Sequence, residues 1–183
     1  VTVYDPDEKD NQVLSSTNDG GQRYPRTSGM AKTLEELTAD DAILAEEKAH
    51  SAGPNDKTPE YSYLKGDLTK AYTDKITDYK RSFVFLSLDD EDYPAAAVVF
   101  DKVDSKKKEF KKKWLLHSIE EPDVEGDTTT IARTEYGFDG KLVNKTLLPE
   151  TKNLSIEKIG GSGKEFWVEN QNFANAPKAN GTE

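Results

Sequence analysis

The stretch from Lys80 to Glu120, KRSFVFLSLDDEDYPAAAVVFDKVDSKKKEFKKKWLLHSIE, decides the fold predicted for this chain. Read as strands, 95–103 places Ala97, Val99, Asp101 and Val103 on one face, and 113–120 places Leu115, His117 and Ile119 on one face. A polar, lysine-rich segment separates the two runs. A period of two is typical of strands that bury one face. The stretch therefore predicts an antiparallel hairpin.

The inner face of this predicted hairpin carries two titratable residues, Asp101 and His117. If the turn is centred near Glu109, Asp101 lies opposite His117. An unpaired carboxylate in an apolar layer is costly, whereas a carboxylate bonded to a histidine is tolerable and raises the histidine's affinity for a proton. We expect a buried Asp101–His117 pair that is either a structural anchor or part of a site, and we favour the structural role. Because His50 is the only other histidine, we predict no metal site.

The rest of the chain predicts further short strands separated by turn residues, and this pattern indicates an all-β, antiparallel two-layer β-sandwich with a long irregular N-terminal segment. We expect strands at 67–72 and 76–88. We also expect a capped helical turn at 33–37, where Glu36 follows Thr33 by three residues. One domain is predicted over 1–177, loop-rich over 1–60 and with regular strands over 61–172, followed by a flexible tail at 178–183.

Composition excludes several classes of function. The net charge of -10 disfavours a nucleic-acid binder, since phosphate neutralisation requires basic surface. The absence of cysteine excludes disulfides, thiolate nucleophiles and cysteine zinc sites. No apolar run approaches the ~18 residues that a membrane span needs. Because the chain begins without methionine and in the middle of a strand pattern, we expect it to belong to a longer polypeptide.

Lysines are concentrated in the predicted turn of the hairpin. Between Lys102 and Lys113 there are seven lysines against Asp104 and Glu109, a local net charge of +5. Clustered ammonium groups attract sulfates and carboxylates, so Lys106, Lys107 and Lys108 are candidate substrate-binding residues. The alternative, which we favour, is a solvated turn whose lysines deter pairing at the sheet edge.

A second candidate site is the loop 18–23, NDGGQR. It combines a flexible turn with exposed amides and a guanidinium, which suit a sugar hydroxyl or a carboxylate. Gln22 and Arg23 are therefore candidate substrate-binding residues. An ordinary surface loop is an equally good interpretation. No catalytic residue is predicted, because nothing resembles a nucleophile next to its base.

Several segments, taken in order, resemble a known family. They are VYDPDEK, NDGGQR, YSYLKGDLTKAY, KRSFVFLSL, YPAAAVVFDKV, FKKKWLLHSIEEP, LLP and GGSGKEFWV. Each segment is weakly specific, but the collinear series is similar to the C-terminal β-rich portion of heparinase II/III-type polysaccharide lyases, over nearly the whole chain.

The resemblance implies a bacterial periplasmic or extracellular enzyme that cleaves an acidic polysaccharide, such as heparin or heparan sulfate, by β-elimination. In such lyases a tyrosine and a histidine come from a large α/α toroid, and a further histidine comes from the start of the β region. Histidines and an aspartate near that start bind a structural zinc. All of these segments precede Val1 in the family's order, so the resemblance gives this chain no cofactor and no catalytic role for Asp101 or His117.

We therefore expect a β domain that supports the missing toroid and lines the substrate cleft, and that is inactive alone. The alternative is a free-standing carbohydrate-binding or surface-adhesion sandwich. A structural assembly domain is a third interpretation. The residues that precede Val1 would discriminate between the first two.

Overall fold

A computed structural model describes residues 1–8, 18–23, 33–39, 42–137 and 139–172. Antiparallel strands dominate this part of the chain, and the predicted all-β, sandwich-like class is confirmed. The chain divides into two compact units, Val1–Leu115 and Leu116–Glu183. The single domain over 1–177 stays a prediction, and the tail at 178–183 lies outside the described residues.

The first unit contains six strands and one short α-helix among its described residues. In chain order they are β1 (Thr2–Tyr4), α1 (Leu34–Leu37), β2 (Glu46–Gly53), β3 (Tyr61–Asp67), β4 (Ile76–Ser87), β5 (Ala95–Ser105) and β6 (Lys111–Lys113). Strands β2 to β5 form one antiparallel sheet in the order β2-β3-β4-β5, and β1 pairs with β6. The strands predicted at 76–88 and 95–103 are confirmed as β4 and β5.

The core of the first unit is small and lies at one end of the sheet. Its buried apolar residues come from β1, from the segment before β4, from β4 itself and from the turn before β6; they are Val3, Ala71, Tyr72, Ile76, Tyr79 and Phe110. The rings of Tyr72 and Tyr79 are 5.7 Å apart and tilted, an arrangement that favours aromatic pairs. The opposite end of the sheet does not reach this core.

The helical turn α1 follows the sequence prediction. The Thr33 side chain accepts a hydrogen bond from the Glu36 amide, and the Glu36 carboxylate accepts one from the Thr33 amide. This reciprocal pair satisfies two backbone donors that a helix start leaves open. The predicted capping box is confirmed.

The strand predicted at 67–72 is wrong in most of its length, because a 3₁₀ turn spans Thr69–Ala71. The carboxylate of Asp67 accepts hydrogen bonds from both the amide and the hydroxyl of Thr69. An aspartate that bonds the backbone two residues ahead favours a turn over a continuing strand. The turn directs Ala71 and Tyr72 into the core.

The hairpin predicted between 95–103 and 113–120 is also wrong. Strand β6 pairs with β1, so that Lys112 lies opposite Val3, and residues 114–119 belong to no strand. Two anchors explain this path: Phe110 is buried in the core, and the Lys106 amide donates to the Lys75 carbonyl. The chain therefore leaves β5 toward β1 and does not return along β5.

The second unit contains β7 (Asp123–Glu125), β8 (Thr128–Arg133), β9 (Gly140–Lys145), β10 (Trp167–Val168) and β11 (Gln171–Asn172). Strands β7, β8 and β9 form an antiparallel sheet, and β10 pairs with β11. Gly126, with φ 60°, lies in the turn between β7 and β8, where a left-handed conformation favours glycine. The amide of Thr146 donates to the Asp127 carbonyl and fastens the end of β9 to this turn.

Candidate functional site

Asp101, the residue on which the sequence analysis centres, lies on the core-facing side of β5 and pairs with Arg81. Arg81 is its register partner on β4. The guanidinium binds the carboxylate through two hydrogen bonds, from Nε to Oδ1 at 2.7 Å and from Nη2 to Oδ2 at 2.8 Å. The Tyr79 hydroxyl adds a third bond to Oδ1 at 3.2 Å. Such bidentate pairs are strong and directional.

The predicted buried Asp101–His117 pair is wrong. Asp101 is partly buried as expected, but both of its carboxylate oxygens bond to Arg81, whereas His117 lies in the exposed segment after β6. The sequence did contain the correct signal. A turn centred near Glu91 places Arg81 opposite Asp101, and this turn carries the acidic residues and the proline that end β4 and start β5.

The two tyrosines beside Asp101 are hydrogen-bond donors. Burial raises the pKa of Tyr72 to about 12, and its hydroxyl donates to the Val1 carbonyl. Burial, followed by the nearby Asp101 carboxylate, raises the pKa of Tyr79 above its usual value. Both phenols are therefore protonated at neutral pH, and the cluster supplies donors and no phenolate base.

The loop 18–23 is bonded to the core, and the amides of its two glycines are already bonded within the loop. The Gly20 carbonyl accepts from the Val3 amide, and the Gly20 and Gly21 amides donate to Asn18 and Asp19 side chains. Gly20 has a φ of +71°, and an added Cβ would lie 3.2 Å from the Val3 carbonyl oxygen. The loop is thus held against β1 by a backbone hydrogen bond and close packing at Gly20.

The two candidate residues of this loop have different surroundings. Gln22 is exposed, whereas Arg23 is partly buried and donates twice to the 3₁₀ segment, from its amide to the Ala71 carbonyl and from Nε to the Lys70 carbonyl. These bonds give Arg23 a structural role. A role of either residue in substrate binding stays a prediction.

Sequence reasoning missed a buried ion pair in this region. The ammonium of Lys75, whose side chain is 1% exposed, lies 2.7 Å from the carboxylate of Glu8, which is 7% exposed. Lys75 also donates to the Gly21 carbonyl, and the Thr73 hydroxyl donates to Glu8. Glu8 and Lys75 lie 67 residues apart in the sequence, with α1, β2 and β3 between them, so no local pattern links them.

The lysine-rich turn between β5 and β6 is partly neutralised within the chain. Lys106 lies 2.6 Å from Asp74, and Lys107 lies 3.6 Å from Asp7. Lys108 instead lines a surface depression of about 240 Å³ together with Lys112. Val103, Asp104 and Ser105 form its remaining wall.

The far half of the four-stranded sheet exposes apolar side chains on both faces. Residues opposite each other in the register share a face; Leu64, Phe83 and Val99 lie on one face, and Tyr61, Val98 and Phe100 lie on the other. Each of these six side chains is more than a third exposed. The first unit covers the apolar side chains at the core end of the sheet and leaves those of the far half exposed.

Among residues 1–8, 18–23, 33–39, 42–137 and 139–172, no group of three or more His, Asp or Glu side chains is arranged to hold a metal ion. In the same part of the chain, no helix has the length and apolar character needed to cross a membrane.

Comparisons with known proteins leave the chain without a demonstrated family. No protein-family model matches it, and no curated protein is significantly similar to it.

Proposed function

We propose that this chain is the non-catalytic β domain of a heparinase-type glycosaminoglycan lyase, which cleaves a heparin-like or heparan-sulfate-like polysaccharide by β-elimination in the intact protein. In this role the domain supports a catalytic toroid and lines the substrate cleft. The collinear segments noted in the sequence motivate the proposal. The observation that carries it is that the far half of the sheet β2–β5 exposes apolar side chains on both of its faces.

An apolar surface of this kind favours a domain that packs against another part of its protein. Phe83 is 38% and Phe85 is 43% exposed, and they are adjacent on one face of β4. Val98 and Phe100, on the other face of the sheet, are 48% and 53% exposed. Soluble monomers rarely expose contiguous apolar patches beyond a few hundred Å², and larger ones mark interaction surfaces.

The chemistry around Asp101 agrees with a supporting role. β-Elimination requires a base for the C5 proton of the uronic acid, a positive group or donor near the carboxylate, and an acid for the leaving oxygen. Arg81 is already bound by Asp101, and the phenols of Tyr72 and Tyr79 are protonated and already donate to the Val1 carbonyl and the Asp101 carboxylate. The proposal therefore places the base and the acid on the toroid.

The proposed contact of this domain with polysaccharide is the lysine-rich turn. Lys108 and Lys112 line the same depression, whereas Lys106 and Lys107 already face Asp74 and Asp7. We therefore assign the largest contribution to the first two lysines. Ammonium groups at an open surface bind sulfates weakly and lose affinity as salt is added.

A heparin column with a salt gradient tests the polysaccharide contact. The full chain should be retained at low salt, and the Lys108→Ala/Lys112→Ala variant should elute earlier. The control is Lys152→Ala/Lys158→Ala, which removes two lysines of the second unit that pair with Glu150 and Glu121. Equal elution of the test and control variants would refute a specific contact at the turn.

A second experiment separates a lyase domain from a free-standing binding module. The chain is mixed with the separately produced toroid of a heparinase-type lyase, and binding and formation of unsaturated uronate are measured by light scattering and ultraviolet absorbance. The proposal expects complex formation and no uronate from the chain alone. Heparin retention without toroid binding would favour the free-standing module, and turnover by the chain alone would overturn the proposal.

A further inference from the structure

The two edge strands of the four-stranded sheet, β2 and β5, differ in how they are protected against pairing with a strand of another chain. Strand β2 carries Glu46, Glu47 and Lys48, and its register shifts between Glu47 and Ala49. Charges and register irregularities are common protections of an edge against pairing. Strand β5 begins with six apolar residues, AAAVVF, and carries neither protection within them.

The outer edge of β5 presents a regular row of backbone groups. The Leu88 amide donates to the Pro94 carbonyl, so the alternating ladder directs the amides and carbonyls of Ala96, Val98 and Phe100 toward β4. The groups of Ala97, Val99 and Asp101 point away from β4. In the described part of the chain, no strand pairs with this side of β5.

The two turns that flank β5 carry opposite charges. The turn before it, Asp89–Asp92, contains four acidic residues. The turn after it contains Lys106, Lys107 and Lys108. When two copies of one strand pair antiparallel, the start of each strand lies beside the end of the other, so this edge is complementary in charge to itself.

The charged residues of these two turns also define the register in which two β5 strands would pair. If Val99 faces its own copy across a twofold axis, Phe100 of one copy lies opposite Val98 of the other. Continuing the count into the turns places Asp92 opposite Lys106, and Asp90 opposite Lys108. The intrachain pairs of Lys106 with Asp74 and of Lys107 with Asp7 are exposed, so exchanging these partners costs little.

We propose that two copies of this chain associate through their β5 edges, antiparallel and centred on Val99, to form a continuous eight-stranded sheet. The outward backbone groups of β5 supply the hydrogen bonds. The Val98–Phe100 contacts supply apolar burial on one face, and the acidic and lysine-rich turns determine the register. This association shares Lys108 with the proposed polysaccharide contact, so it is measured without polysaccharide.

Sedimentation equilibrium over a concentration series of the full chain tests the association. The parent chain should form a dimer. Val99→Pro should raise the dissociation constant about 10- to 100-fold, because it removes the outward amide of each copy at the axis. Val99→Ala, which keeps the amide, is the matched control. Circular dichroism verifies that each variant is folded.

Charge reversal tests the register and does not depend on the proline variant. Lys106→Glu/Lys108→Glu should weaken the dimer, and so should Asp90→Lys/Asp92→Lys. Mixing these two variants should restore association as a heterodimer. The first variant carries acidic residues in both turns and the second carries lysines in both, so opposite charges again face each other at both ends of the paired strands. A chain that stays monomeric at every concentration, or variants that associate as well as the parent, would overturn the proposal.

Hydrogen exchange provides an independent readout of the surface. Raising the protein concentration should slow exchange at the outward amides of Ala97 and Val99 and leave the inward amide of Val98 unchanged. Concentration-dependent protection elsewhere, with none at Val99, would show a dimer formed through another surface.

Discussion

The two ends of β4 carry similar residues and have different surroundings. At one end Tyr79 is 1% exposed and packs in the core beside the Arg81–Asp101 pair. At the other end Phe83 and Phe85 are more than a third exposed. An apolar side chain in a strand therefore does not show which element will cover it. The comparison indicates that the first unit covers the core end of the sheet and leaves the far end exposed.

The sharpest test of this comparison truncates one aromatic residue at each end. Tyr79→Ala should lower the free energy of unfolding by about 3–5 kcal/mol, because it empties a filled site in a small core. Phe85→Ala should cost about 1 kcal/mol, since much of its ring is already in water. Urea denaturation followed by fluorescence measures both. Equal losses would mean that the far end is also covered in solution.

The buried ion pair tests how strongly the N-terminal segment is held at the core end. Glu8→Ala should lower the free energy of unfolding by about 3–5 kcal/mol, because it leaves the Lys75 ammonium buried without its carboxylate. Asp7→Ala removes an adjacent acid whose side chain is 80% exposed, and it should have little effect. If both variants unfold at the same urea concentration, the Glu8–Lys75 pair contributes no stability.

The partner of Asp101 can be identified by a matched pair of substitutions. Asp101→Ala should cost about 1–3 kcal/mol, because it leaves Arg81 and the Tyr79 hydroxyl without their acceptor. His117→Ala should change stability by less than about 0.5 kcal/mol, since His117 is exposed. A large loss for His117→Ala in thermal unfolding would restore the pairing expected from the sequence.

Acid titration should show a smaller effect at Asp67, the last residue of β3. Burial alone would raise the pKa of Asp67, but hydrogen bonds from Lys80 and Thr69 outweigh it and hold that pKa below its usual value. The folded-state pKa is thus depressed, so the contribution to stability is present above about pH 4 and is lost as the pH falls toward the folded-state value.

Asp67→Asn should therefore flatten the loss of stability below about pH 4, and urea midpoints measured from neutral to acid pH would show it. Asp78→Asn is not a suitable control because Asp78 also contacts Lys80. Asp56→Asn is suitable, since Asp56 is exposed in the segment between β2 and β3. An unchanged slope for Asp67→Asn would exclude Asp67 as a contributor.

Local signals explain the predictions that were confirmed. Strands β4 and β5 follow from apolar runs on either side of an acidic turn, and α1 follows from Thr33 and Glu36 at capping-box spacing. Each of these signals acts within a few residues, so it does not depend on how distant segments of the chain pack. The wrong predictions concern partners. The pattern at 113–120 could not show that Phe110 would enter the core and direct the following strand to β1.

The sequence by itself determined the all-β class, because strand periodicity and turn chemistry are local properties of the chain. It also determined the opposite charges of the two turns that flank β5. The tertiary structure alone decided that Glu8 meets Lys75, and that one half of the sheet β2–β5 is covered while the other is exposed. These features depend on which distant segments meet, and that choice follows from the combined packing of the whole unit.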